Sequence, residues 1–151
     1  MLTIQKILLI RKLPLFKEMG PEALLGIAQI ASEKVFKSGE CVFQKGEVGS
    51  SLFLIVEGMV RIHDHQNIKN SDTSLAKLEE GEFFGELSIL GNEKRTASAT
   101  AEDNCKLLEI GKDSFQRLMI ENFEISQNLL SALADRIREL TAQIQKKHYL
   151  K

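Results

Sequence analysis

One short segment, residues 83–99, holds the residue types that bind a phosphate group together with a sugar. Gly85 permits a close approach of the backbone, and the next few residues are expected to form a helical turn whose free N–H groups attract an anion. Arg95 follows after a turn that can fold it back over this helix start, and its planar guanidinium can hold two phosphate oxygens at once. Glu86, when ionised, only accepts hydrogen bonds and therefore suits a sugar hydroxyl.

The same segment has a simpler interpretation. Glu86 and Arg95 would then form an ordinary surface ion pair, which contributes only about 0–1 kcal/mol to stability. The position of Gly85 beside Glu86 favours the anion site over this interpretation. Ser88 is not a credible nucleophile, because no hydrolase motif ties it to a histidine.

The chain around this segment changes character after Ser32 and again after Gly111. Between these points, short apolar runs alternate with glycine-containing turns, which is typical of an antiparallel sandwich or roll. The polar residues 64–74 are expected to form an exposed loop. The expected strand segments are 35–36, 41–43, 52–56, 59–62, 75–78, 98–101 and 105–110.

Helices are expected on both sides of the strands. Apolar residues at helical spacing predict one helix over 2–10 and a second that begins at Pro21. Residues 112–120 and 124–147 predict two more. The last of these carries an apolar stripe in which residues alternate three and four positions apart: Leu130, Leu133, Ile137, Leu140 and Ile144.

The order of helices, strands and helices along the chain indicates an α+β protein that is mainly β. We expect an antiparallel β-roll (jelly roll) of about eight strands, with N-terminal helices, a short helix near Glu86 and two C-terminal helices. A chain of 151 residues suits one compact domain over 1–151. Within it we expect helices over 1–31, the roll over 32–111 and helices over 112–148.

Composition argues against several classes of function. With 20 Lys and Arg against 21 Asp and Glu, the net charge of −1 gives no general attraction to nucleic acid or anionic membrane. No apolar run is long enough to span a bilayer, and the first one lacks the features of a signal peptide. Cys41 and Cys105 lie in apolar stretches and are expected to be reduced core residues, which favours a cytoplasmic protein.

His63 and His65 are two residues apart, so on a strand they would share a face. A metal site of the cupin type would need a carboxylate shortly after this pair and a third histidine in the roll. No carboxylate closely follows His65, and the remaining histidine is His148, near the end of the sequence. We therefore expect no metal, and we expect His63 and His65 to be solvated polar residues at a strand end.

The 83–99 segment resembles the phosphate-binding cassette of the cyclic nucleotide-binding domain family. That family includes the bacterial catabolite activator protein, regulatory subunits of cyclic-nucleotide-dependent kinases and tails of cyclic-nucleotide-gated channels. Its cassette reads F-G-E-L-[SA]-L-L, a short loop and R-[ST]-A-[ST], and this chain has FGELSIL, GNEK and RTAS. The likeness extends to LLIRKLPLF, to KGEVGSSLFLIVEGMVRI and to the closing helices. Lys94 stands where many members have proline, and the loss of the proline is expected to loosen the turn.

The resemblance also implies roles for individual residues. Glu86 would accept the ribose 2′-hydroxyl, and Arg95 would hold the equatorial phosphate oxygens next to the close backbone approach at Gly85. Leu75 would form part of the base pocket. The rest of the phosphate cradle would be backbone of Leu87, Ser88 and Ala97 with the hydroxyl of Thr96, and the base lid would be Leu140 and Thr141.

The function implied is a non-enzymatic regulatory sensor that binds cAMP or cGMP and moves its last helix. The alternative is a member that keeps the fold but acts as a ligand-free interaction module. Thr96 is compatible with either base, so selectivity should depend on the lid, where Leu140 is apolar and Glu139 is expected to point outward. We therefore expect a modest preference for cAMP, by no more than about tenfold.

The resemblance further implies a homodimer through the last helix, because family members often pair there. No helix-turn-helix fits between His148 and Lys151, so DNA binding by this chain alone is not expected. Membrane insertion is not expected either. The sequence does not indicate which effector the sensor would regulate.

Overall fold

A computed structural model describes residues 1–64, 74–91 and 94–149. Its first elements are helical. Helix α1 spans Thr3–Ile10, a single 3₁₀ turn spans Pro14–Phe16, and helix α2 spans Pro21–Ile30. The Lys6 ammonium donates to the main-chain oxygen of Ala31 at 2.6 Å, which satisfies a carbonyl at the end of α2 and ties the two helices together.

The strands form two four-stranded antiparallel sheets within the described residues. One sheet has the order β1-β8-β3-β6 and the other has the order β2-β7-β4-β5. All neighbouring strands in both sheets are antiparallel. The bounds are β1 Ser32–Phe36, β2 Cys41–Phe43, β3 Ser51–Glu57, β4 Met59–His63, β5 Ser74–Glu79, β6 Phe83–Phe84, β7 Ser98–Ala101 and β8 Cys105–Gly111.

Strand β3 is buried on both faces, which explains why its sequence is continuously apolar rather than alternating. Leu52, Leu54 and Val56 pack in a core shared with the N- and C-terminal helices. Phe53 and Ile55 pack in a second core inside the roll. The β1-β8-β3-β6 sheet therefore lies between a helical layer and the other sheet.

The remaining helices are α3 over Leu87–Leu90, α4 over Lys112–Glu121 and α5 over Phe123–Tyr149. The first half of α5 is anchored, because Ile125 and Leu129 are buried in the helical core and Asn128 donates to the main-chain oxygen of Leu15 at 3.0 Å. In the apolar stripe, Leu133 packs partly against this core, whereas the other members are 56–68% exposed: Leu130, Ile137, Leu140 and Ile144.

The expected fold class is confirmed: a mainly antiparallel β-roll of eight described strands, with helices on both sides. The short strand β6 and the 3₁₀ turn were not expected from the sequence. Most of the expected polar loop, residues 65–73, lies outside the described residues. No helix in the described ranges is both long and apolar enough to cross a bilayer.

Two expectations about single side chains are corrected. Cys105 is buried as expected, but Cys41 is exposed, because it starts the short strand β2, which lies at the edge of its sheet among the described strands. His63 was expected to be solvated and is instead 8% exposed, with its Nε2 2.8 Å from Thr100 Oγ1. His65 lies outside the described residues, and the described part of the chain holds no cluster of three or more His, Cys, Asp or Glu that could bind a metal.

Candidate functional site

A cavity of about 500 Å³ lies between the roll, the 83–99 segment and helix α5. Nine of the ten residues singled out from the sequence line it, seven from the 83–99 segment and two from distant parts of the chain: Gly85, Glu86, Leu87, Ser88, Arg95, Thr96 and Ala97, with Leu75 and Leu140. The tenth, Thr141, is not among the lining residues. The cavity thus brings together the predicted phosphate, sugar and base regions.

Arg95 is a buried cation that is paired mainly with neutral groups. It is 6% exposed, and its Nη1 and Nη2 donate to the main-chain oxygens of Gly85 and Ser51 at 3.1 and 2.9 Å. Its guanidinium carbon lies 4.0 Å from the ring centre of Phe43, a cation–π contact. No carboxylate of the described residues forms an ion pair with it. A bound anion would supply the negative counter-charge for this guanidinium.

Burial lowers the pKa of Arg95, because desolvation disfavours the charged form. Three carboxylates act in the opposite direction through space, those of Glu47, Glu109 and Glu86. The guanidinium remains protonated, since the ordinary pKa of arginine is far above neutral pH. The site therefore keeps a full positive charge in a partly desolvated position, where an electrostatic attraction is strong.

The backbone approaches Arg95 closely at two glycines. A Cβ at Gly85, which has φ +83°, would lie 2.7 Å from Arg95 Nη1. A Cβ at Gly49, in the loop between β2 and β3, would lie 2.3 Å from Ser88 Oγ and 2.7 Å from Arg95 Nε. Gly49 was not singled out from the sequence, because nothing local shows that its loop reaches the distant 83–99 segment.

The loop around Gly49 also holds the turn that carries Arg95. The N–H of Arg95 donates to the main-chain oxygen of Glu47 at 2.7 Å, and the N–H of Gly46 donates to the main-chain oxygen of Arg95 at 2.9 Å. Val48 and Lys94 form an isolated antiparallel bridge. These backbone bonds hold Lys94 and Arg95 against this loop.

Helix α3 presents its start to the same cavity. Its first N–H groups, at Leu87 and Ser88, precede the first intrahelical bonds and point out of the helix end. Glu86 caps this end through its main-chain oxygen, which accepts from Ile89 and Leu90 at 3.0 Å each. The buried Ile89 packs in the helical core and holds α3 in place. Arg95 and the first residues of α3, Leu87 and Ser88, therefore line one cavity, as a phosphate site requires.

Glu86 already has a charged partner in this structure, and sequence reasoning missed it. Arg136 of α5 donates through Nη1 to Glu86 Oε1 at 2.9 Å and through Nη2 to the main-chain oxygen of Phe83. Its guanidinium carbon lies 4.2 Å from the ring centre of Phe83. The available signal was helical spacing, because Arg136 is four residues before Leu140 and therefore shares its face of the helix.

The lid end of the cavity differs from the expectation. Leu75 and Leu140 both line it, but they are 62% and 56% exposed. Glu139 also lines the cavity, so its expected outward orientation is corrected, and Thr141 does not line it. The reason is the phase of α5, which turns the 132, 136, 139, 140 and 143 side toward the roll and carries Thr141 away from it.

Comparison with known proteins identifies the family. The model of the cyclic nucleotide-binding domain matches residues 33–122, which include the roll, the 83–99 segment and helix α4. The chain belongs to this family, whose domain is a regulatory ligand-binding unit rather than a catalytic one. The resemblance given by the FGELSIL and RTAS motifs is thereby confirmed.

Individual relatives are longer than this chain. It is 30% identical over 131 residues to the cyclic AMP receptor protein of Thermus thermophilus, covering 87% of this chain and 60% of that protein. It is 30% identical over 130 residues to a cyclic nucleotide-gated potassium channel of Rhizobium etli, covering 85% of this chain and 34% of the channel. The chain therefore spans between about one third and three fifths of these two relatives.

Solved structures show the same fold. The crystal structure of the Thermus thermophilus catabolite activator protein matches with a TM-score of 0.74 and 30% identity, over 87% of this chain and 62% of that one. The regulatory domain of Toxoplasma gondii PKA, crystallised with cAMP, matches with a TM-score of 0.75 and 22% identity, over 89% of this chain and 50% of that one.

The close approach at Gly49 yields a test of the site geometry. Gly49→Ala should weaken both folding and ligand binding, because the added methyl would overlap the Ser88 side chain and press on Arg95. We expect a loss of stability of about 1–3 kcal/mol, as for overpacked sites, measured by urea unfolding. Ser88→Gly in the Gly49→Ala background should restore part of it. Gly26→Ala, whose Cβ would meet nothing within 4 Å, is the control, and an equal effect at both glycines would contradict the packing argument.

Proposed function

We propose that residues 1–151 act as one regulatory sensor domain that binds a cyclic nucleotide, with cAMP favoured over cGMP. The observation that carries this proposal is Arg95, a buried guanidinium that lines the same cavity of about 500 Å³ as the start of α3 and forms no ion pair with a carboxylate of the described residues. A cyclic phosphodiester has a single negative charge and two free oxygens. A planar guanidinium matches it, because it can donate two parallel hydrogen bonds to these oxygens.

In this proposal, each part of the ligand contacts a different group of cavity-lining residues. Arg95 and the N–H groups at Leu87 and Ser88 bind the phosphate, and Glu86 accepts the ribose hydroxyl. The base then extends between Leu75 on strand β5 and Leu140 on helix α5, because these two apolar side chains line the cavity from outside the 83–99 segment. Phosphate recognition is thus built into the roll, whereas base recognition depends on the position of α5.

Arg136 connects the proposed ligand to the position of helix α5. Its ion pair with Glu86 joins the second half of α5 to the sugar end of the cavity. A ribose hydroxyl placed at Glu86 would change this contact, and the ligand would shift α5 by the difference in its affinity for the two helix positions. Whatever binds the exposed part of α5 would then respond to the nucleotide.

The domain is not proposed to be an enzyme, and its effector lies in a partner or in a further part of a longer protein. The cyclic AMP receptor protein and the potassium channel named above show that relatives attach this domain to very different outputs. A cytoplasmic location fits the two free thiols, Cys41 and Cys105. The competing proposal is a ligand-free interaction module, and calorimetric titration with cAMP and cGMP separates the two.

Removal of the side chain that is proposed to bind the phosphate tests the function. Arg95→Ala should weaken nucleotide binding by about 2–4 kcal/mol, since it removes a charge-assisted contact to an enclosed anion. Titration calorimetry measures the affinity, and circular dichroism of the same sample verifies the fold. Arg117→Ala, at an exposed arginine outside the cavity lining, is the matched control. Unchanged affinity in a folded Arg95→Ala protein would refute the site.

The sugar contact is tested with a modified ligand. Glu86→Gln should weaken binding of the ribonucleotide by less than Arg95→Ala does, because a hydrogen bond rather than the main charge contact is lost. The effect should shrink for the 2′-deoxy analogue, which already lacks the partner hydroxyl. A double cycle of variant and analogue measures the coupling, and full additivity would show that Glu86 does not bind the 2′-hydroxyl.

Base preference depends on the lid. Apolar Leu140 underlies the expected preference for cAMP, by no more than about tenfold, or about 1.4 kcal/mol. Glu139 also lines the cavity, and a carboxylate can accept two N–H groups from guanine but one amino group from adenine. Glu139→Gln should therefore move the preference further toward cAMP in competition against a fluorescent analogue. A strong preference for cGMP that Thr96→Ala abolishes would instead identify Thr96 as the base-reading residue.

We also propose a homodimer through α5. Its apolar stripe has coiled-coil spacing, and Ile137 and Ile144 are 64% and 68% exposed. Ile137→Glu should convert a dimer to a monomer in light scattering, because a charge would be buried in the seam. Ile120→Glu is the control, since Ile120 is 85% exposed but lies outside the stripe. A wild-type protein that is monomeric with and without nucleotide would contradict this proposal.

A further inference from the structure

Glu109 places a carboxylate near Arg95 but outside the lining of the cavity. It lies in β8 directly opposite Phe53 of β3, and Phe53 packs inside the roll beside the Arg95 guanidinium, whose carbon is 5.9 Å from the ring centre. Glu109 itself is half-buried and does not line the cavity. Its charge is therefore partly shielded from water.

Glu109 and Arg95 each form a hydrogen bond with the same residue, Ser51. Ser51 Oγ donates to Glu109 Oε2 at 3.0 Å, and the main-chain oxygen of the same serine accepts from Arg95 Nη2 at 2.9 Å. Ser51 is 8% exposed. Within the described residues it is the only hydrogen-bond partner of the Glu109 carboxylate. One buried residue thus lies between the carboxylate and the guanidinium.

The other two carboxylates near Arg95 are less suited to balance its charge. Glu47 is exposed, so water and salt screen its effect. Glu86 is held by Arg136 at 2.9 Å, so its charge is already neutralised by another cation. Glu109 has no cation of its own in the described part of the chain, and its hydrogen bonding leads only toward Arg95.

We propose that Glu109 is the resident counter-charge of Arg95 in the empty site, and that it stabilises the ligand-free protein while opposing the binding of an anion. This inference rests on the proposed phosphate-binding role of Arg95. The reason for the two opposite effects is that Glu109 and a phosphodiester are both negative and share one buried cation. Glu109 is thus a residue that tunes affinity through Arg95 without touching the ligand.

The first experiment tests the Glu109–Arg95 coupling without a ligand. Urea unfolding of wild type, Glu109→Gln, Arg95→Met and the double variant forms a double-mutant cycle. Glu109→Gln should lower the unfolding midpoint by about 0.3–1 M in the wild-type background. In the Arg95→Met background, which keeps an apolar side chain against Phe43, the loss should disappear or reverse. An equal loss in both backgrounds would overturn the proposal, because Glu109 would then act on something other than Arg95.

The second experiment tests the opposition to binding. In calorimetric titrations with cAMP, Glu109→Gln should bind about three- to tenfold more tightly than wild type, since a repulsive charge is removed at unchanged geometry. The gain should vanish for a neutral phosphotriester of the same nucleotide. Ser51→Ala, which keeps the Glu109 charge, should show a smaller gain. Glu47→Gln, at the exposed carboxylate, should lose any gain in about 0.5 M salt, whereas that of Glu109→Gln should persist.

The outcomes separate this inference from the proposed function. If wild type binds neither cAMP nor cGMP, the proposed function fails, and the unfolding cycle still decides whether Glu109 balances Arg95. If wild type binds but Glu109→Gln binds equally or more weakly, the proposed function stands and this inference is overturned. A Glu109→Gln protein that folds only with saturating cAMP supports it, and one that stays unfolded with cAMP overturns it.

Discussion

The buried guanidinium of Arg95 is the constraint on which the site depends. A cation that is 6% exposed must be supported on every side, and the surroundings provide carbonyl oxygens from Gly85 and Ser51 and the aromatic face of Phe43. These groups come from three different parts of the chain. The roll therefore has to close correctly before the cation can be placed, which couples formation of the site to formation of the fold.

The layering of the sheets explains how the cavity is connected to α5. Because β3 is buried on both faces, one face completes the roll and the other receives the terminal helices. Ile125 and Leu129 fix the first half of α5 to that second face. The second half leaves the core and meets the cavity through Arg136, whose contacts reach Glu86 and Phe83. A helix that is anchored at one end and held by a polar contact further along is suited to transmit a change in that contact.

Sequence reasoning predicted the fold and the residues of the 83–99 segment that line the cavity, because both are encoded locally. Glycine turns separate the strands, and the residues from Gly85 to Ala97 are close together in the chain, so their chemistry is readable without a structure. The residues of α5 that line the cavity were predicted less well, since they depend on the rotation of α5. Each residue turns an α-helix by about 100°, and an error of one or two positions was enough to exchange Glu139 for Thr141. Gly49 and Arg136 were missed for a related reason, since their partners are distant in sequence.

The apolar stripe of α5 and its cavity-lining side share one residue. Because of this shared residue, the proposed ligand and the proposed dimer cannot be fully independent. Leu140 belongs to the apolar stripe and also lines the cavity. If a second chain packs on the stripe, it changes what surrounds Leu140 and hence what the base contacts. By linkage, a nucleotide that contacts Leu140 must change the affinity of the second chain by the same factor. Coupling between the proposed ligand and the proposed second chain would therefore need no long pathway, because Leu140 lies both in the cavity lining and in the apolar stripe.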